Sequence, residues 1–278
     1  MVATDQILAL PSRGGGVASR PVRNVLAIAR RELGAYFDSP LAYVIVPIYV
    51  VLVGGFALWF DDLFNANVVS MRGVFFWSSL FLVLLVPAIT MRLFAEEYRT
   101  GSIEILTTLP IRDEELVAGK FLAATVLVWV GVLCTLTYPI TLAALGVPES
   151  VASTTPWLLR MVNESGLDFG EVIGGYGALF LLGAAIAAIG TGVSSLTQSQ
   201  IVAFLGTLLL ALFPFVVGFM LDRVPGGWVP IAQYLSLSFH FDNLARGVLD
   251  SRDVVYFGSL AGLGLHTAVH ALERRRLA

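Results

Sequence analysis

Few residues in this 278-residue chain have the types and spacing that chemistry needs. His266 and His270 lie one helical turn apart, a spacing at which two histidines can bind a metal ion. We expect no acid or third ligand to join them, so we favour histidines near a membrane surface over a metal pair or a proton relay. His240, Asp242 and Asn243 are a candidate metal or polar substrate site, although such residues more often satisfy a turn.

No motif for catalysis or energy conversion appears in the sequence. The Gly-Lys step in Ala118–Phe121 lacks the upstream glycine and the following Ser or Thr of a nucleotide-binding phosphate loop. No Gly-x-Ser-x-Gly elbow is present. Cys134 is the single cysteine and lies in an apolar run, so we expect a small buried hydrophobe there. We therefore predict no catalytic residues, no metal and no cofactor bound by this chain.

The composition indicates an integral membrane protein. Hydrophobic residues make up 57% of the chain, charged residues make up 13%, and the mean hydropathy is +0.82. Soluble domains carry about 25% charged residues. The net charge of −3 gives no basic face for nucleic acid, so we predict no nucleic-acid partner.

Six apolar runs are long enough to span a bilayer as helices, since a span needs about 20 residues. The runs are continuous and do not alternate, which excludes a β-barrel and predicts an all-α fold. We expect residues 1–20 to form a flexible tail and residues 21–278 to form one domain. The predicted spans are Leu41–Phe60, Val74–Met91, Phe121–Gly146, Val172–Leu196, Ile201–Leu221 and Val254–Leu272.

The distribution of basic residues predicts how the spans are oriented. Twelve of the 17 Lys and Arg residues lie in the N-terminal tail, in the 92–120 connection and at the C-terminus. By the positive-inside rule, we expect both termini and the 92–120 connection to be cytoplasmic. No Lys, Arg, Asp or Glu falls inside the predicted spans, which argues against a secondary carrier.

An amphipathic helix is predicted before the first span, over Val22–Phe37. Its apolar residues, Leu33 among them, recur at helical spacing, while Arg23, Arg30 and Arg31 lie on the other side. This pattern is typical of a helix lying in the cytoplasmic membrane interface. Two roles stay open for it: a simple membrane anchor, or a docking surface for a cytosolic partner.

The segment Glu96–Ile111, EEYRTGSIEILTTLPI, is a polar insertion between two apolar runs, and we call it the polar segment. We expect Gly101 to end the helix that continues from the second span and Ser102 to cap a short helix over Ile103–Thr108. Pro110 would stop that helix, and Asp113 would cap the third span. A short helix between two breakers would present a rigid knob; the alternative is an ordinary polar hairpin loop.

At these residues the chain resembles the permease subunit of ABC-2-type exporters. The acidic stretch, the Gly-Ser step, the apolar-Glu-apolar-Leu run and the proline of the polar segment are similar to that family's coupling segment. Residues 177–203 are similar to its connection between the fourth and fifth spans. Residues 234–257 are similar to its gliding-motility branch. The resemblance covers the chain from about Arg23 to Arg274.

The resemblance implies a six-span subunit of the bacterial inner membrane whose short cytosolic helix sits in a cleft of a separate ABC ATPase. It also implies that residues 222–253 form an external gate of re-entrant helices, with Pro225, Trp228, Pro230 and His240 as candidate residues. The interfacial helix, through Arg23, Arg30, Arg31 and Leu33, would also meet the ATPase. The candidate coupling residues are Glu96, Glu97, Arg99, Gly101, Ser102, Ile103, Glu104, Ile105, Leu106 and Pro110.

The implied partners are two ATPase copies, which use ATP and Mg, a second permease copy or paralogue, and membrane lipids. The external loop at residues 147–171 could touch an accessory membrane or periplasmic subunit. The first functional hypothesis is an exporter permease. Its alternative is a non-transporting membrane scaffold or motility component driven by an ATPase partner.

Overall fold

The protein is helical throughout residues 21–60, 70–103, 111–145, 167–248 and 250–277, apart from short connections; these are the residues described by a computed structural model. No strand occurs in these ranges, so the predicted all-α fold is confirmed. A 3₁₀ turn, Leu221–Arg223, precedes α9. The described helices are α1 (Pro21–Asp38), α2 (Pro40–Phe60), α3 (Arg72–Thr90), α4 (Ala95–Thr100), α5 (Asp113–Cys134), α6 (Thr137–Leu145), α7 (Phe169–Leu196), α8 (Gln200–Phe219), α9 (Val229–Leu235), α10 (Leu237–Ala245) and α11 (Ser251–Leu277).

Six helical stretches are long and apolar enough to cross a membrane, and they follow the six predicted spans in order. Five of them extend past a predicted end, the second to Thr100 and the third back to Asp113, because polar residues continue the helix beyond the apolar run. The second stretch includes α4, and the third joins α5 to α6. The stretches are Ala42–Phe60, Arg72–Thr100, Asp113–Ala144, Phe169–Leu196, Gln200–Phe219 and Ser251–Arg275.

Helix α7 lies at the centre of the bundle. In its most apolar 18-residue stretch 67% of the residues are buried, against 22% for α2 and for α8. It packs against α3, α5, α8, α10 and α11. Glycines let these neighbours approach: a Cβ on Gly175 would lie 2.3 Å from the Phe75 ring, and one on Gly192 would lie 2.6 Å from the Gly264 carbonyl oxygen. Small residues at helix contacts are the usual means of close packing in membranes.

The third span is broken between α5 and α6, which the sequence prediction did not include. Pro139 has no N–H to donate to the carbonyl four residues earlier, that of Thr135. This carbonyl accepts instead from the Tyr138 N–H at 3.0 Å and from the Tyr176 hydroxyl of α7 at 2.8 Å. The break therefore leaves the Thr135 carbonyl paired, and Tyr176 adds a link from the break to the central helix.

The helices of adjacent spans run in opposite directions, which defines two ends of the bundle. The end that carries α1, α4, the first turns of α5 and the last turns of α11 is called the α1 end. The opposite end, which carries α9, α10 and the first turns of α11, is called the α9 end. The two short helices α9 and α10 lie where the sequence predicts re-entrant helices; their depth in a bilayer stays a prediction.

Two local predictions are wrong. Arg112, and not Asp113, is the residue that precedes α5; Asp113 already lies in the helix, in a first turn with Glu114 and Glu115 where the helix dipole favours acids. Cys134 is exposed, because it lies on the outer face of the last turn of α5. The predicted tail at residues 1–20 and most of the external loop fall outside the described residues.

Candidate functional site

A buried lysine joins three helices at the α1 end. Lys120 of α5 is 1% exposed; its Nζ lies 2.7 Å from Glu97 Oε1 of α4 and 3.2 Å from Glu32 Oε1 of α1. The ammonium also lies 5.3 Å from the centre of the Phe94 ring. Because removing one partner of a buried ion pair leaves an uncompensated charge, these groups hold α1, α4 and α5 in one arrangement. We call Lys120, Glu97 and Glu32 the lysine cluster.

Helix α1 can pack closely against the first turns of α5 because α5 has a glycine at the point of contact. A Cβ on Gly119 would lie 2.7 Å from Cβ of Ile28, so a larger residue at 119 would push α1 away. Asn24 Nδ2 donates to Glu115 Oε2 at 3.0 Å and forms a second polar link between the same helices. One side of α1 therefore packs against α5.

Tyr36 connects α1 to the second span. Its ring is buried and its hydroxyl donates to the Ile89 carbonyl of α3 at 3.1 Å. Burial, together with the nearby Glu32 carboxylate, raises the pKa of Tyr36 well above its ordinary value. The hydroxyl therefore stays a neutral donor at physiological pH.

A serine of α7 caps the start of α4. Ser194 Oγ accepts the N–H groups of Phe94 and Ala95, each at 3.1 Å, and donates to the Met91 carbonyl at 3.1 Å. The first N–H groups of a helix have no partner within it, and here a side chain from another helix supplies one. The position of α4 is therefore tied to the central helix as well as to α1 and α5.

The far side of α4 carries two further contacts. Arg92 pairs with Glu96, with Nε 2.8 Å from Oε2 and Nη2 3.3 Å from Oε1. The guanidinium of Arg275, from the close of α11, lies 3.9 Å from the centre of the Tyr98 ring. Helices from four parts of the chain thus meet around α4.

The structure describes the first half of the polar segment. Gly101 ends α4 in the left-handed conformation, with φ 73°, so the predicted terminator is confirmed. Ser102 and Ile103 begin the next helical segment. Glu97 points into the lysine cluster, Glu96 is held by Arg92, and Arg99 is exposed. Glu104, Ile105, Leu106 and Pro110 lie outside the described residues.

The predicted residues of α1 divide between two faces. Arg23, Arg30 and Arg31 are exposed, and Arg31 Nη2 lies 3.4 Å from Glu32 Oε1. Leu33 is partly buried and packs against the core. We expected the apolar face as a whole to lie on the membrane. Part of that face, Tyr36 included, packs on protein instead, because Gly119 leaves room for it.

At the α9 end, short helices fold back on the bundle. A Cβ on Gly218 of α8 would lie 1.9 Å from Ser238 Oγ, and this hydroxyl donates to the Phe215 carbonyl at 2.8 Å. Ser236 caps α10 by accepting from the Phe239 N–H at 3.1 Å. Helix α10 is thus fixed against α8, whereas the predicted gate residues Pro225, Trp228 and Pro230 lie on an exposed part of the chain.

His240, the fourth predicted gate residue, lies in a buried polar pair. Its Nδ1 lies 2.6 Å from Asp253 Oδ1 and its Nε2 lies 3.2 Å from the Tyr234 carbonyl oxygen. The ring stacks on that of Tyr256, with 4.0 Å between their centres. Of the predicted set, His240 and Asn243 line the same cavity, whereas Asp242 is exposed on another face of α10.

The two histidines of α11 do have an acid beside them, so our expectation of none was wrong. The rings of His266 and His270 meet edge to face, with 4.2 Å between their centres, and His270 Nδ1 lies 2.9 Å from Glu273 Oε2. His270 and Glu273 are about half exposed. No group of three or more His, Cys, Asp and Glu positioned for a metal ion occurs among the described residues.

Sequence reasoning missed the charged partners on other helices. Lys120 lies just outside the predicted third span, and Glu32 lies between the apolar positions of α1. Asp253 immediately precedes the predicted last span. Each of these charged residues lies next to apolar residues, and that position could have marked it as a candidate. The residue with which it pairs depends on how the helices pack.

One comparison with known proteins gives a match. A protein-family model described as "ABC-2 family transporter protein" matches residues 60–269, which is well over half of the chain. The match covers the second to fifth candidate spans and most of the sixth, and it leaves α1 and most of α2 outside. No curated protein matches the chain.

Proposed function

Because the chain belongs to the ABC-2 family of transporter proteins, a family of membrane components that are not themselves catalytic, we propose that it is the permease subunit of an ABC exporter. ATP hydrolysis would take place in a separate ABC ATPase, where ATP and Mg would bind. The sequence, which has no phosphate loop of its own, supports this division of labour. The resemblance of the polar segment to exporter coupling segments favours outward movement of the substrate.

The observation that carries the proposal is the lysine cluster. Lys120 ties α1 to α4, the helix that forms the first part of the polar segment. A displacement of the polar segment, or of α1 at its exposed arginines, would therefore be transmitted to α5 through the buried ion pairs of the lysine cluster. Ser194 and Arg275 extend the same connection to α7 and α11. Such a rigid junction suits a surface on which an ATPase does mechanical work.

The orientation and the partners follow from the same proposal. The α1 end, whose described segments carry Arg23, Arg30, Arg31, Arg92, Arg99, Arg112 and Lys120, would face the cytoplasm, and the α9 end would face outward from the inner membrane. Two ATPase copies would bind two permease chains, as identical copies or as paralogues. The exposed apolar faces of α2 and α8 would contact lipid or the second permease. Residues 234–257 support placement in the gliding-motility branch.

A charge reversal tests the docking of the ATPase. Glu104→Arg should leave membrane insertion and folding unchanged while it lowers co-purification with the ATPase and the stimulation of ATP hydrolysis. Asp222→Arg, a matched reversal in the 3₁₀ turn before α9, should leave both unchanged. Normal co-purification and normal stimulation in Glu104→Arg would remove the polar segment from the mechanism.

Transport itself is tested in vesicles that contain the chain and its ATPase, with a catalytically inactive ATPase as control. Substrate movement that requires ATP hydrolysis supports the permease. ATP hydrolysis without movement of any compound in a broad panel would favour the alternative, a membrane scaffold or motility component.

A further inference from the structure

The side of α1 that faces away from the other helices carries apolar and basic residues next to each other. Val22 and Leu26 are 69% and 50% exposed, and Phe37 is also exposed. At about 100° per residue, a spacing of seven residues puts Arg23, Arg30 and Phe37 on one line along the helix. Val22 and Leu26 lie on the line beside it. We call these five residues the α1 stripe.

The apolar part of the α1 stripe continues onto the exposed face of the first span. The rings of Phe37 and Tyr43 meet edge to face, with 5.9 Å between their centres. Tyr43 and Val44 are exposed at the beginning of that span, where the apolar layer begins. Lipid that covers the start of α2 therefore also reaches Phe37.

Contacts with α5 place Arg30 at the depth of the lipid headgroups. Ile28, two residues before Arg30, packs on Gly119, and Glu32, two residues after it, pairs with Lys120. The third apolar run begins at the next residue of α5, so Arg30 lies about 3 Å outside it along that helix. The headgroup layer is about 5–7 Å thick on each side of the hydrocarbon. Lipid, and not a cytosolic protein, is the neighbour at this depth.

Arg23 lies further from the apolar layer. The neighbouring Asn24 bonds to Glu115, which is six residues, or about 9 Å, before the third apolar run. An arginine side chain can extend along a membrane surface and keep its charged group among the headgroups. We therefore expect Arg30 to contribute more than Arg23.

The positive charge of the α1 stripe is not offset. The acids of α1 are Glu32, which belongs to the lysine cluster, and Asp38, the last residue of the helix. Arg31 has Glu32 beside it, whereas neither Arg23 nor Arg30 pairs with an acid among the described residues. Guanidinium groups bind phosphate oxygens through paired hydrogen bonds. A lipid with a phosphate and a net negative charge fits this surface better than a zwitterionic one.

We infer that the α1 stripe binds anionic phospholipid in the leaflet at the α1 end. Arg30 and Arg23 donate to the lipid phosphates, and the apolar residues of the stripe lie against the upper part of the acyl chains. The lipid holds α1 from outside, as the lysine cluster holds it from inside. Binding needs no ATPase, so it can be measured on the chain alone and can fail independently of the proposed transport.

Spin-labelled lipids in nanodiscs test which lipid lies beside α1. In a chain with Cys134→Ala, a cysteine introduced by Leu26→Cys would carry a fluorophore. Spin-labelled phosphatidylglycerol should quench it with an apparent affinity about fivefold higher than spin-labelled phosphatidylcholine, the effect of one arginine near an anionic headgroup. A fluorophore at Ala27→Cys, about 100° further round the helix, should be quenched less by both lipids and more by aqueous iodide.

Arginine variants test the source of this preference. Arg30→Gln should remove most of the preference for phosphatidylglycerol, and Arg23→Gln should remove a smaller part. Arg31→Gln, a matched change at the neighbouring position, should leave the preference unchanged. In neutral detergent, Arg30→Gln and Arg23→Gln should unfold at the same temperature as the unmodified chain, which shows that they fold. Added salt should weaken the preference without any substitution.

Four results would overturn the inference. The first is equal quenching by the two lipids, and the second is an equal loss of preference in Arg30→Gln and Arg31→Gln. The third is competition by dilute inorganic phosphate, which would assign a soluble anion to the arginines. The fourth is displacement of the spin-labelled lipid from Leu26→Cys by added ATPase, which would assign the α1 stripe to that protein.

Discussion

Replacing Lys120 by methionine should destabilise the α1 end more than any exposed charge change. Methionine keeps most of the aliphatic length, so the change removes mainly the ammonium that lies 2.7 Å from Glu97 and 3.2 Å from Glu32. Glu97 then loses its buried cation, while Glu32 keeps Arg31 at 3.4 Å. Removing one partner of a buried pair costs about 3–5 kcal/mol, and the remaining contact of Glu32 places the expected cost near the lower figure.

Thermal unfolding of the purified chain measures this cost. For a domain of this size, a loss of about 3 kcal/mol corresponds to a Tm lower by roughly 6–12 °C. The double variant Lys120→Met/Glu97→Gln should recover a large part of the loss, because it removes the uncompensated carboxylate together with the lysine. Arg23→Met, at an exposed cation of α1, should change Tm by little.

A coupling test accompanies the stability test. At a temperature where Lys120→Met is folded, it should bind the ATPase less well or stimulate it less, since α1 and α4 are no longer held together. A Tm equal to that of the unmodified chain, or a double variant no more stable than Lys120→Met, would refute the idea that the lysine holds these helices.

Three further predictions concern helix contacts. Gly119→Val should displace α1, since a Cβ there would lie 2.7 Å from a side-chain carbon of α1, and should speed proteolysis within α1; Gly34→Val, where nothing lies within 4 Å, serves as control. Ser194→Ala should lower stability by about 1–3 kcal/mol, measured by thermal unfolding, because two N–H groups at the start of α4 lose their acceptor. Gly264→Leu should separate α11 from α7 and lower Tm by several degrees, whereas Gly262→Leu, which faces open space, should not; equal effects of the two would contradict the described packing.

Much of the fold could be predicted from the sequence because the membrane imposes one simple pattern. A span needs about 20 apolar residues in a row, so the six runs could be counted and placed without any knowledge of packing. The end of α4 could be predicted at Gly101 for a local reason as well, since glycine adopts the left-handed conformation at little cost. Such features depend on short stretches of sequence alone.

The contacts between distant parts of the chain could not be predicted in this way. Glu97 and Lys120 are 23 positions apart, and Glu32 lies on a helix before the first span. The spacing of charges within one helix gave no indication that they meet. The pairing of His240 with Asp253, and not with Asp242, depends likewise on the packing of α10 against α11. The break before α6 was missed although Pro139 is a local signal for it, because the apolar run continues unbroken through this proline.

The most direct test of the central claim is a site-specific cross-link between the polar segment and the ATPase. In a chain with Cys134→Ala, a single cysteine at Ser102 would carry the cross-linker in membranes that also contain the ATPase. We predict a cross-linked product with the ATPase from Ser102→Cys, and none from Trp228→Cys at the α9 end. A product from Trp228→Cys, or none from Ser102→Cys in a complex that hydrolyses ATP, would contradict the proposed coupling.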